Sequence, residues 1–191
     1  CKNIFDNKKI SEDKNIKDFL SYYNSIIDIN FNELDYSNWI NIYNDLCEWF
    51  IKLEKMDNND FIDMLNEQKI ILNSQFSNFV KSNYLNWIND NKKRPIMSCD
   101  VFNHSIKHYL EDDKKVVFII IDCLRADQWK KISPLVEDRF DIKQNYHYSI
   151  LPSATPFARN SIFSGLLPLE IKNDYPDLWK KMFNDQEFNK H

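Results

Sequence analysis

The chain has 191 residues, of which 28 % are charged and 43 % hydrophobic, a size that fits one ordinary domain or one small domain with part of a second. It holds a single glycine, Gly165. That excludes the glycine-rich dinucleotide turn and the phosphate-cradling loop, since both need several residues without a Cβ where backbone meets phosphate. A net charge of −4 gives no basic footprint for a nucleic-acid backbone, so phosphate chemistry here has to come from a metal or from local dipoles.

The chain starts at Cys1 without a methionine, which reads as a truncated piece in preference to a lipid-modified mature end. Cys1, Cys47, Cys99 and Cys123 form no C-x-x-C pair, so reduced thiols and a cytoplasmic setting are expected. No apolar run approaches the roughly 18 residues of a membrane span, so membrane insertion is not expected. Residues 1–34 fit one helix, with Phe19, Leu20, Tyr22, Tyr23, Ile26 and Ile27 as its apolar positions. From Ser37 onward, Trp39, Ile42, Tyr43, Leu46, Trp49, Phe50 and Leu53 recur at three- and four-residue steps on one helical face. Asp57 to Asp60 read as a turn. Asp60 is the expected cap of the next helix, whose stripe runs through Phe61, Leu65, Leu72, Phe76, Phe79, Val80, Tyr84 and Trp87. Asn89 to Pro95 breaks it, and a shorter helix fits Phe102, Ile106, Tyr109 and Leu110. Aromatic stripes of this kind belong to a packed bundle or a dimer face. The 24 asparagines and 21 lysines against four arginines look like coding bias, and no function is read into any one of them.

The character changes at Lys114. Val116 to Ile121, VVFIII, is an unbroken β-branched and aromatic run of the kind buried on both faces of a parallel sheet. Leu124, Ile132, Leu135, Val136 and Phe140 then suit a helix, and Tyr146 to Leu151 a second strand. Strand, helix, strand is a βαβ unit, and ligands of such sheets bind beyond the carboxyl ends of the strands. Asp122 stands at that place, as a hard metal ligand or as a cap for the following helix. Further on, Thr155 and Pro156 read as an N-cap and first helical residue, with Gly165 as the left-handed residue that closes the helix. A threonine hydroxyl there is either a plain cap or, beside a metal at Asp122, a nucleophile where helix N–H groups favour an anion. Arg159 and Asn160 either hold phosphate oxygens or lie on the surface.

The runs VVFIIIDCLRADQW from Val116 and YSILPSATPFARNSIFSGLLPLEI from Tyr148, with YPDLW at Tyr175 to Trp179, resemble the PglZ domain of PorX-type response regulators, which belongs by fold to the alkaline phosphatase superfamily. The helical segment, with PIMS at Pro95 to Ser98, resembles the connector that these regulators place after a receiver domain. The resemblance implies an α/β fold: a helical connector bundle followed by the first β-α-β-α part of an alkaline-phosphatase-like parallel sheet. Its divisions are 1–14, the tail of a receiver; 15–112, the connector and dimerisation region; and 113–191, the N-terminal part of a PglZ domain. It implies two zinc ions, with Asp122 and Thr155 as ligands and Thr155 as nucleophile of a phosphodiesterase that acts on nucleotides or oligonucleotides. The family's downstream Asp and His ligands have no counterparts here, His104, His108, His147 and His191 included, and Cys123 stands where the relatives carry Asn or a small residue. The partners implied are a second copy through the helices and a sensor histidine kinase through the receiver, in the control of type IX secretion and gliding. The alternative is a non-catalytic signalling output that senses a nucleotide or binds a partner.

Overall fold

The computed structural model describes the backbone of residues 2–56, 58–90, 92–112 and 114–184, and the side chains of these except for 2–13 and 182–184. In chain order the helices are α1 (Lys2–Ile27), α2 (Tyr36–Met56), α3 (Asn59–Asn89), α4 (Val101–Ser105) and α5 (Lys107–Glu111). After these come α6 (Ala126–Ile132), α7 (Thr155–Ser164), α8 (Pro168–Asp174) and α9 (Pro176–Asn184). Two compact units divide the chain: residues 1–91 with 124–142, and residues 92–123 with 143–191. The receiver tail expected at 1–14 lies almost wholly outside the described side chains.

In the first unit, α2 begins where Asp35 Oδ1 accepts the Ser37 and Asn38 N–H groups at 2.8 Å each. It buries Trp39, Ile42, Leu46, Trp49 and Leu53, the positions its three- and four-residue spacing marks out. The cap of α3 is Asn58 instead of Asp60: its side chain accepts the Phe61 N–H at 3.2 Å, and Asp60 lies in the first turn, where its charge suits the helix dipole. Phe19 and Ile26 of α1, the α2 stripe, and Leu65 and Leu72 of α3 share one core. Aromatic contacts knit it, with Phe19 edge-on to Trp49 at 5.5 Å and Tyr22 stacked on Trp49 at 5.7 Å. The buried Gln68 amide donates to Tyr23 O at 3.0 Å and so ties α3 to α1. The expected helix over 124–140 is shorter than its apolar pattern, because Pro134 sits in a 3-10 turn over Ser133–Leu135 that ends it. What remains, α6, packs on α2, with Lys130 paired to Glu48 at 3.0 Å and Lys131 to Glu54.

The second unit corrects the α/β expectation. Among the described residues there is no strand and no sheet, so the alkaline-phosphatase-like parallel sheet expected over 113–191 is not formed. Val116 to Ile121 follows no regular structure; Val117, Ile119 and Ile121 are 84 %, 71 % and 63 % exposed, while Val116, Phe118 and Ile120 are half-buried. Alternation of this kind is the two-residue period of an extended chain with one face covered. A strand, however, is a property of a pair, and apolar periodicity records which side chains favour burial without supplying a neighbour for the N–H and C=O groups. Tyr146 to Leu151, the second expected strand, contributes a single parallel bridge, and to Met97 instead of to the VVFIII run.

Two substitutions test the helical core. Leu53→Ala, at a fully buried position, is expected to cost about 2–5 kcal/mol, whereas Ile71→Ala, at a position 57 % exposed, is expected to stay within about 0.5 kcal/mol, both measured by denaturant unfolding.

Candidate functional site

Asp122 and Thr155 meet, although 33 residues separate them: Thr155 Oγ1 donates to Asp122 Oδ2 at 3.0 Å. Thr155 is half-buried and Asp122 exposed, so the pair faces solvent. The helix start differs from expectation by one residue. Ala154 is the N-cap of α7, its carbonyl accepts the Phe157 and Ala158 N–H groups at 3.0 Å each, and Thr155 is already helical. Its hydroxyl therefore makes no cap and is directed to the carboxylate instead. With Pro156 lacking an N–H and the next two N–H groups engaged, what α7 offers an anion is mainly the field of its aligned peptides.

Asp122 is not the cap of the helix that follows. That helix, α6, begins four residues later, with Gln128 Oε1 accepting the Arg125 N–H at 3.0 Å. Asp122 Oδ1 instead accepts the Cys123 N–H at 3.0 Å, closing a tight turn in which Cys123 takes φ +60°. A left-handed backbone is costly for a cysteine and mild for asparagine, whose short amide tolerates that region. Asparagine would therefore suit this turn better than Cys123 does.

Arg159 and Asn160 are half-buried on α7 and diverge in direction. Arg159, four residues beyond Thr155, lies on the same helical face, while Asn160 is turned from it by about 140°. Asn160 lines a cleft of 410 Å³ with Phe163, Ile171, Tyr175 and Trp179. Gly165 closes α7 at φ +72°, with its N–H on Ser161 O at 3.0 Å. Cys99 is buried, and that burial pushes its thiol up from the usual range; Cys123 is exposed.

A metal requires more donors than this pair. Asp122 and Thr155 offer one carboxylate and one hydroxyl, and zinc takes four ligands. Among the described residues no group of three or more His, Cys, Asp or Glu side chains converges anywhere; His104, His108 and His147 are exposed, and His191 lies outside the described residues. By themselves these donors do not compose a zinc site.

Residues 9–88 match the family model described as the PorX response regulator linker domain, and residues 101–187 match the one described as the BREX system PglZ alkaline phosphatase-like domain. The chain joins a PorX-type linker to a PglZ domain. The Asp122–Thr155 pair and α7 fall inside the PglZ match, and the core built on α2 and α3 falls inside the linker match. No curated protein matches the chain. No helix among the described residues is long and apolar enough to cross a membrane.

The strained turn gives a test. Cys123→Asn is expected to stabilise the chain by about 1 kcal/mol, read as a shift in denaturant midpoint at unchanged slope; an unchanged or lowered midpoint contradicts the strain assigned to residue 123.

Proposed function

We propose that the chain is the linker and the nucleophile-bearing segment of a response regulator whose PglZ output cleaves phosphodiesters of nucleotides or oligonucleotides, in the cytoplasmic control of type IX secretion and gliding. What supports the chemical part is one observation: the Thr155 hydroxyl forgoes the capping bond that a Thr-Pro pair ordinarily makes and lies 3.0 Å from Asp122 Oδ2. A hydroxyl with a carboxylate acceptor at that distance is arranged as a nucleophile with its base. The description of the matching model as alkaline phosphatase-like points to the same class of reaction.

The chain's own residues divide the work as follows. As Thr155 Oγ1 bonds to phosphorus, its proton passes to Asp122, while the departing oxygen, in line on the opposite side of phosphorus, takes a proton from solvent as its bond to phosphorus breaks. Water then attacks the phosphorylated Thr155 from that opposite side and gives its proton to solvent, and Asp122 returns the proton it holds to the threonine oxygen as that oxygen leaves phosphorus. Arg159, on the face of α7 that carries Thr155, is the cation for the phosphoryl oxygens. Asn160, turned toward the aromatic cleft, is the polar group for the part of the substrate beyond the phosphate. Zinc, which the resemblance implies, requires ligands beyond Asp122 and Thr155.

In the intact regulator, Thr155→Ala is expected to lower hydrolysis of a model phosphodiester on the order of a thousandfold or more, while Thr155→Ser keeps a measurable rate. Full activity in Thr155→Ala removes Thr155 as nucleophile.

A further inference from the structure

Residues 89–100 lie between the two family matches, yet Pro95, Met97, Ser98 and Cys99 are buried, Met97 and Ser98 completely. We propose that Ser98 is the positioning residue of the Asp122–Thr155 pair and acts through Ile150; this rests on the reading of that pair as the working site. Tyr148 N–H donates to Ile96 O at 2.8 Å and Ser98 N–H donates to Tyr148 O at 3.1 Å, the two bonds of a parallel bridge centred on Met97 and Tyr148. In a parallel ladder the next donor is the Ile150 N–H and its acceptor is the carbonyl of residue 98. That carbonyl is engaged elsewhere: the backbone has entered a 3-10 turn over Ser98–Asp100, and Ser98 O accepts the Val101 N–H. The Ser98 hydroxyl takes its place and accepts the Ile150 N–H at 3.2 Å, in a buried setting. Ser98 is thus the side chain that extends the pairing by one step without a strand.

That step fixes where Thr155 begins. Ile150 is fully buried, residues 151–154 are exposed, and Thr155 follows, so Ile150 is the last buried residue before the nucleophile. The far end of α7 seats on the same segment: a Cβ on Gly165 would stand 3.1 Å from Asn103 Nδ2 and 3.6 Å from Cys99 O. On the upstream side, Asp100 holds the segment in shape by accepting Arg94 at 2.8 Å and the Met97 N–H at 2.8 Å. The run that ends in Asp122 is tied to α7 through Phe118, whose ring meets that of Phe163 at 5.3 Å. With Ser98 removed, the Ile150 N–H is left without its acceptor in a dry place, and the start of α7 is free to shift relative to Asp122.

The test is a double-mutant cycle run in two backgrounds on the full 191-residue chain. The coupling between Thr155→Val and Asp122→Asn, read from unfolding equilibrium constants, is expected to be about twofold or more in the natural sequence and to fall to one in Ser98→Ala. Undiminished coupling in Ser98→Ala overturns the proposal and leaves the pair intact. Absence of coupling in the natural sequence overturns the proposal together with the reading of the pair. If Ser98→Ala does not fold, amide exchange of the natural chain decides. The Ile150 and Ala158 amides are expected to show matching protection, and Ile150 exchange more than about tenfold faster overturns the proposal.

Discussion

The second unit depends on one short stretch of backbone pairing, Ile96 to Ser98 against Tyr148 to Ile150. Among the described residues of that unit, the buried ones are Pro95, Met97, Ser98, Cys99, Ile150 and Ser161, and all but Ser161 belong to the paired segments or adjoin them. A chain with so few sequestered side chains has little hydrophobic stabilisation to fix its loops, so the directional bonds determine register. Three of them suffice because they lie in sequence along one bridge and because the last, to the Ser98 hydroxyl, is shielded from water, where a bond left unmade costs most.

The candidate site inherits its geometry from that frame. The bond from Thr155 to Asp122 is exposed and weak by itself, so it records a placement that other contacts have already made. On one side the placement comes through Ile150 and the exposed residues 151–154. On the other it comes through the Phe118–Phe163 contact and the turn in which Asp122 Oδ1 holds the Cys123 N–H. A threonine that opens a helix and yet leaves the cap to Ala154 is available for chemistry, and that freedom separates a nucleophile candidate from the many Thr-Pro pairs that only start helices.

Legibility in the sequence follows the range of the interaction involved. The helices α2 and α3 are readable because their burial is local and repeats at three and four residues, and Gly165 is readable because a left-handed closing residue has one strongly preferred type. Asp122 and Thr155 could be singled out by residue type and by their position after apolar runs. The expected strands do not form, because VVFIII has strand composition while pairing depends on a neighbour that composition does not encode. Nothing in PIMS distinguishes a Ser98 hydroxyl that replaces a carbonyl from one on the surface; only its complete burial opposite Ile150 does. The apolar positions through Phe140 overstated α6, which ends before Pro134, and its packing on α2 has no local pattern, since it rests on Lys130 and Lys131 meeting Glu48 and Glu54.

This frame brings Thr155 to Asp122 in the folded chain. Solution NMR of the uniformly labelled protein tests it directly, through the nuclear Overhauser contact between the Thr155 methyl group and the Asp122 β protons. This contact is expected together with contacts between the Met97–Ser98 and Tyr148–Ile150 segments. A chain in which those segments are in contact but Thr155 and Asp122 are not would contradict it.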